Sequence, residues 1–144
     1  MKKSFSLIEI LVFMTILSIF FIGALSVSVF YLKTLKKEQY KILATHFLEE
    51  SSEWIKSEKE SDWNNFSSFS SSKGTVYCLE NLSFKNINNC SGYNLGNPKI
   101  FKREITLKSL DSPTTKIEAT INVFWIEGNG ENKVSSKLIL AINE

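Results

Sequence analysis

The first quarter of the chain is almost entirely apolar. No charged residue occurs between Glu9 and Lys33, and the 23 residues from Ile10 to Leu32 are interrupted only by Ser, Thr and one Gly. Since an α-helix rises ~1.5 Å per residue, this run would be roughly 35 Å long, enough to cross a hydrocarbon layer of ~30 Å. A secretory signal peptide has an apolar core of only ~7 to 15 residues. The pattern therefore predicts a membrane-spanning helix.

After the apolar run the pattern stays helical but becomes amphipathic. Large apolar side chains recur at offsets of three, four and seven, at Tyr40, Leu43, Phe47 and Trp54. Charged side chains occupy the other faces, and no Gly or Pro interrupts this stretch. The helix is therefore predicted to continue to about Ser57 and to pack on a core through its aromatic side.

Beyond residue 74 the hydrophobic period changes to two, which is typical of strands with one buried face. The two longest alternating runs cover residues 101–108 and 117–125. Further strands are predicted over three shorter segments, Thr75–Leu79, Leu82–Ile87 and Leu138–Ile142. Residues 61–74, which are rich in Ser, are predicted to form a loop. The sequence predicts an α+β fold, with a long N-terminal helix packed on a small antiparallel β-sheet head.

The residues just before the apolar run form a distinctive motif. They read KKSFSLIE at positions 2–9, which resembles the N-terminal signature of type IV pilins and of the related pseudopilins of type II secretion. In that family a prepilin peptidase cuts on the cytoplasmic side just before the Phe and methylates the newly exposed amine. The resemblance implies a cut between Ser4 and Phe5 and methylation of Phe5. The family usually has Gly at the position that Ser4 occupies here.

The resemblance also implies a division of the chain and a function. The segments are a leader peptide at 1–4, a transmembrane and assembly helix at 5–32, an amphipathic helix packing on the head at 33–60 and the β-sheet head at 61–144. The chain would be a structural subunit, a minor pilin or pseudopilin, of a type IV pilus, competence or type II secretion filament. Its implied partners are prepilin peptidase, other pilin or pseudopilin subunits, the inner membrane and an assembly platform.

The implied location is a single pass through the inner membrane, with the head outside the cytoplasm, followed by transfer into a pilus or pseudopilus. Lys2 and Lys3 favour this orientation by the positive-inside tendency, whereas three lysines beyond the apolar run oppose it. Charge alone therefore supports the orientation only in part.

Glu9 is unusual in this segment, because placing a carboxylate at the edge of a membrane-spanning helix costs free energy. It is the fifth residue after the implied cut, and the resemblance implies that it pairs with the methylated amine of Phe5 on a neighbouring subunit. Such a pair forms in one axial stagger only, so it would set the register between subunits. The simpler alternative is that Glu9 lies at headgroup level and interacts favourably with the helix dipole.

Two cysteines, Cys78 and Cys90, are 12 positions apart, outside the membrane in the implied orientation. An extracytoplasmic pair in a small domain favours a disulfide, and two buried free thiols are the alternative. No second Cys or His pair completes a zinc site around them, and the only histidine, His46, has no ligand set at metal-binding spacing.

Composition narrows the functions further. With 17 Lys and Arg against 15 Asp and Glu, the chain has a net charge of +2. Such a small charge creates no strong positive electrostatic field that would attract nucleic acid. We find no phosphate-binding loop and no nucleophile elbow, so neither catalysis nor a cofactor is predicted. Two alternatives stay open, a tip subunit that binds a surface or DNA and an unrelated single-span membrane protein. The cations expected to be exposed for DNA capture are Lys85, Lys99, Lys102, Arg103, Lys108 and Lys116.

Overall fold

The computed structural model describes residues 6–88, 90–128 and 130–142. The chain divides into two compact units, Met1–Gln39 and Tyr40–Glu144. Helix α1 (Leu7–Ser61) is 55 residues long and contributes to both units. It ends four residues beyond the predicted end at Ser57.

In the first unit, α1 carries apolar side chains on every face. These side chains are exposed, among them Leu7, Phe20 and Phe30 at 70% or more. The hydroxyls of Ser18 and Ser26 donate to main-chain carbonyls one turn earlier, at 2.8 and 2.9 Å, so they are satisfied without water. The helix is long and apolar enough to cross a membrane. A helix that is hydrophobic all round requires lipid or other helices to cover it.

The second unit, which we call the head, contains the rest of α1 and a four-stranded antiparallel sheet in which the strands lie in chain order. A short helix, α2 (Trp63–Ser68), precedes the sheet. The strands are β1 (Thr75–Cys78), β2 (Phe101–Ser109), β3 (Lys116–Glu127) and β4 (Gly130–Ala141). The long helix and the antiparallel sheet confirm the predicted α+β fold.

The sheet buries one face, as its period-two pattern predicts. Phe101, Ile105 and Leu107 on β2 and alternate residues from Ile117 to Val123 on β3 have no exposed surface. The most buried positions of α1 are Ala44, Ser51 and Ile55. The aromatic spacing did not predict these three positions. The aromatic side chains that were predicted to face the core flank them and are half-buried. Two of the three, Ala44 and Ser51, are small, and Ala44 packs in the cluster that contains Phe101, Val123 and Trp125.

Three local predictions were wrong. Residues 63–68 form α2 instead of a loop, because Asp62 accepts a hydrogen bond from the Asn65 amide at 3.0 Å and caps the helix. Leu82–Ile87 is not a strand, and only Ile87 makes an isolated bridge, to Tyr77. The last strand is the whole of β4, which begins at Gly130 and ends before Ile142.

The turn between β2 and β3 is held by Asp111. Its carboxylate accepts hydrogen bonds from the hydroxyl and amide of Thr115 and from the amide of Lys116. The hydrogen bond from the Thr115 hydroxyl, with that from the Lys116 amide, lowers the pKa of Asp111 below its ordinary value. Asp111 thus fixes the residues that begin β3.

Candidate functional site

The predicted site residues fall in different parts of the chain. Ser4 and Phe5 lie outside the described residues. Glu9 is exposed in the first turn of α1, and its amide donates to the Ser6 carbonyl at 3.0 Å. A carboxylate in the first turn interacts favourably with the positive end of the helix dipole. Glu9 belongs to the first unit, whereas both cysteines belong to the head.

Cys78 and Cys90 are joined by a disulfide with a Cα–Cα distance of 5.2 Å. The bridge connects the end of β1 to the segment before β2, so it closes a short loop on one side of the sheet. The loop is also held by main-chain hydrogen bonds, since the Leu79 amide donates to the Arg103 carbonyl at 2.9 Å. Of the two alternatives left by the sequence, the structure has the disulfide.

We expect the Cys78→Ser/Cys90→Ser double variant to lose up to ~3 kcal/mol of unfolding free energy, because the bridge restrains the unfolded chain. Urea unfolding of the full chain in detergent micelles measures this loss. Wild-type protein in reductant serves as the control, and its unfolding midpoint should match that of the double variant. Two freely alkylable thiols in the native protein would contradict the bridge.

Arg103 has an environment that differs from the one predicted from the sequence. It was counted among the exposed cations, but its side chain is only 3% exposed. Its Nε donates to the Leu79 carbonyl at 3.0 Å, and its Nη1 donates to the Phe47 carbonyl at 3.1 Å. Nη1 also forms an ion pair with Glu50 Oε2 at 2.6 Å. The guanidinium therefore ties β2 to α1 and to the residue that follows β1, and we call this set of contacts the Arg103 clamp.

A signal for this burial was present in the sequence. Arg103 alternates in phase with Phe101, Ile105 and Leu107, so it is the one charged residue on the apolar side of β2. A charge on a buried face requires a partner, because an unpaired buried charge costs several kcal/mol. The sequence does not reveal that Glu50, more than 50 positions away, is that partner.

Lys102 is also engaged, on the opposite face of the sheet. Its ammonium is 3.3 Å from Glu104 and 3.7 Å from Glu131, and it lies 4.6 Å from the ring centre of Phe124. The Tyr93 hydroxyl donates to Glu131, and this hydrogen bond raises the pKa of Tyr93 to about 12. The cluster attaches the loop before β2 to the outer face. The expectation of a freely exposed Lys102 was therefore wrong.

The other four cations considered for DNA capture are exposed, at Lys85, Lys99, Lys108 and Lys116. Glu104 and Glu118 lie on the same outer face as Lys108. On this face of the described residues, Lys108 and Lys116 are therefore interspersed with acids instead of forming a basic stripe. Among the described residues, no group of three or more His, Cys, Asp or Glu side chains is placed to hold a metal ion.

Comparison with protein families identifies the N-terminal segment. Residues 1–25 match the family model described as the prokaryotic N-terminal methylation motif. A search of curated proteins and a search of solved structures each found no match. The motif points to a structural subunit and not to an enzyme, and it implies processing by a prepilin peptidase and assembly with other pilin subunits. The apolar first unit fits membrane anchoring. The first 25 residues of this chain therefore carry the signature of type IV pilins and pseudopilins.

Proposed function

We propose that this protein is a minor pilin or pseudopilin that is built into a type IV pilus, competence or type II secretion filament through its N-terminal helix. The observation that carries the proposal is the methylation motif at residues 1–25, which leads directly into an apolar helix. In this role the motif directs processing and the helix supplies the assembly surface.

The exposure of the first unit supports this role. Its large apolar side chains, such as Ile19, Phe21 and Val27, are more than half exposed. Lipid covers them before assembly, and the helices of neighbouring subunits cover them in the filament. The same surface thus serves as membrane anchor and as filament core, and the transfer between the two exchanges one apolar environment for another.

The motif residues then have separate roles. Prepilin peptidase cuts between Ser4 and Phe5 and methylates the amine of Phe5. Ser is small enough to replace the usual Gly before the cut. Glu9 pairs with the methylated amine of a neighbouring subunit and sets the axial register.

The disulfide supports a location of the head outside the cytoplasm. Disulfides persist in oxidising compartments and are rare in the cytosol. Lys2 and Lys3 on the other side of the apolar run are consistent with an N-terminus in the cytoplasm. In this arrangement the leader is cut on the cytoplasmic side while the head folds and oxidises outside.

A structural role is favoured over DNA capture at a filament tip. Two of the six candidate cations, Lys102 and Arg103, are engaged in ion pairs within the head. Phosphate contacts require cations that are free to approach the backbone of the nucleic acid. A salt-dependent DNA-binding assay on the purified protein is expected to show no affinity above that of a neutral control protein.

Processing is the direct test of the proposed function. We expect the mature protein to begin at a methylated Phe5 and to lack residues 1–4, because the motif directs both reactions. Mass spectrometry of the membrane or filament fraction measures the N-terminus. Cells without prepilin peptidase provide the control and should retain Met1. A Ser4→Gly variant, which restores the usual family residue, should be cut at least as fast. Retention of Met1 in cells with active peptidase would contradict the proposal.

A further inference from the structure

The disulfide lies next to the Arg103 clamp. Leu79 directly follows Cys78 and has no exposed surface. Its amide donates to the Arg103 carbonyl at 2.9 Å, and its carbonyl accepts a hydrogen bond from Arg103 Nε at 3.0 Å. The residue that the bridge holds through Cys78 therefore supplies one of the acceptors on which the buried guanidinium depends.

The disulfide restrains the chain at the point where the ladder of β1 ends. Cys78 is the last residue of β1 and pairs with Glu104, so Leu79 lies beyond the paired residues of that strand. The next residue, Glu80, is exposed. The bridge to Cys90 thus adds a covalent restraint where the hydrogen bonds between β1 and β2 stop.

Arg103 transmits the position of Leu79 to α1. Its Nη1 donates to the Phe47 carbonyl at 3.1 Å and forms the ion pair with Glu50 at 2.6 Å. A buried donor that loses its acceptor is costly, so a guanidinium without the Leu79 carbonyl is driven toward solvent. That movement would also break the contacts of Arg103 with Phe47 and Glu50.

The segment between the two cysteines contacts α1 a second time. The ring centre of Phe84 is 4.8 Å from that of Trp54, which lies one helical turn beyond Glu50. Phe84 also stacks on Phe69 at 4.5 Å, and both rings pack against the cluster that contains Ile55. The bridge therefore closes a segment that meets α1 through an aromatic pair as well as through Arg103.

We propose that the Cys78–Cys90 disulfide is a redox-sensitive lock that holds residues 47–54 of α1 on the sheet. A dithiol reductant donates two electrons to the bridge, so that the S–S bond breaks, each cysteine becomes a thiol and the dithiol becomes a disulfide. The Leu79 carbonyl then leaves Arg103, and residues 47–54 open from the sheet while β2, β3 and β4 stay paired. The inference concerns the head alone and does not depend on the filament role.

This lock differs from stabilisation through the unfolded chain. A bridge that only restrains the unfolded chain contributes equally with and without Glu50, because the Arg103 clamp is absent from the unfolded state. A bridge that also holds the clamp contributes less once Glu50 is removed. The two mechanisms are therefore distinguished by whether the losses add.

A thermodynamic cycle on the full chain in detergent micelles makes this distinction. Urea unfolding is measured for wild type and Glu50→Ala, each oxidised and in dithiothreitol. The effect of Glu50→Ala on the unfolding equilibrium constant should be roughly tenfold smaller in the reduced protein. Glu49→Ala removes an exposed carboxylate of the same helix and should have the same effect in both states. The Cys78→Ser/Cys90→Ser background should reproduce the result without reductant.

Amide hydrogen exchange of the wild-type chain under native conditions locates the opening. Reduction should accelerate exchange at residues 47–54 of α1 roughly tenfold more than exchange at the centre of β3. An effect on the unfolded chain alone would accelerate the most protected amides of both elements by one factor, because those amides exchange through global unfolding. This measurement needs no substitution, so it stays decisive if a variant fails to fold.

Two outcomes would overturn the proposal. The first is that the losses caused by reduction and by Glu50→Ala simply add. The second is that reduction accelerates exchange equally at residues 47–54 and at the centre of β3. Either result would assign the effect of the bridge to the unfolded chain alone.

Discussion

Replacement of Glu9 by Gln is expected to leave insertion and cleavage before Phe5 intact and to deplete the subunit from sheared filaments by roughly two to three powers of ten. In its proposed role, Glu9 neutralises the methylated amine of a neighbouring subunit inside an apolar helix bundle. The amide of Gln carries no charge, so the amine is left buried without a counter-ion. Breaking a buried charge pair by deleting one partner costs ~3 to 5 kcal/mol, and each ~1.4 kcal/mol is a factor of ten.

Fractionation with an antibody against the head measures this effect as mature protein retained in the membrane. Glu38→Gln is the matched control, because Glu38 is an exposed carboxylate on the same helix but lies beyond the apolar run. It should be incorporated normally. Normal incorporation of Glu9→Gln as well would refute the register role and leave only the interaction with the helix dipole.

Glu50→Ala is expected to lower the unfolding free energy of the head by about 3 kcal/mol. Without this carboxylate, the guanidinium of Arg103 stays buried with two main-chain carbonyls as its partners. The side chain of Glu50 is 44% exposed, so solvent screens part of the pair and the expected cost lies at the lower end of the range for buried pairs. Urea unfolding followed by tryptophan fluorescence reports on the head specifically, because all three tryptophans belong to it.

Glu49→Ala is the control for the Arg103 clamp. Glu49 is an exposed neighbour on the same helix, and its replacement should change the unfolding free energy by less than about 0.5 kcal/mol. The double variant Glu50→Ala/Arg103→Met should be more stable than Glu50→Ala, since it leaves no buried charge. Equal losses for Glu49→Ala and Glu50→Ala would show that the ion pair does not hold the helix to the sheet.

Periodicity predicted most of the fold because it records which face of an element is buried. The aromatic spacing from Tyr40 to Trp54 placed the correct side of α1 toward the sheet, and the alternation along 101–108 and 117–125 predicted β2 and β3. In these segments only one face of the helix or strand contacts the core. The spacing of hydrophobic residues along the chain therefore matches the spacing of buried positions. The motif at residues 2–9 predicted the signature that the family model matches at residues 1–25.

The errors occurred where local pattern and tertiary environment differ. The Ser-rich segment after Asp62 has no helical period, yet α2 forms there and buries Phe66. The first half of β4 is polar and has no hydrophobic alternation, so its pairing with β3 defines it as a strand. Leu82–Ile87 alternates like a strand, but its Phe84 packs among aromatic side chains and only Ile87 bridges to β1.

The sequence by itself determined the signature, the apolar helix and the face of each long element that is buried, because these depend on neighbouring residues. Only the tertiary structure decided how Arg103 is neutralised and that Ala44, Ser51 and Ile55 are the buried positions of α1. Each of these features joins residues that are far apart in the chain. Contacts of that kind depend on how the elements pack, and no local pattern encodes them.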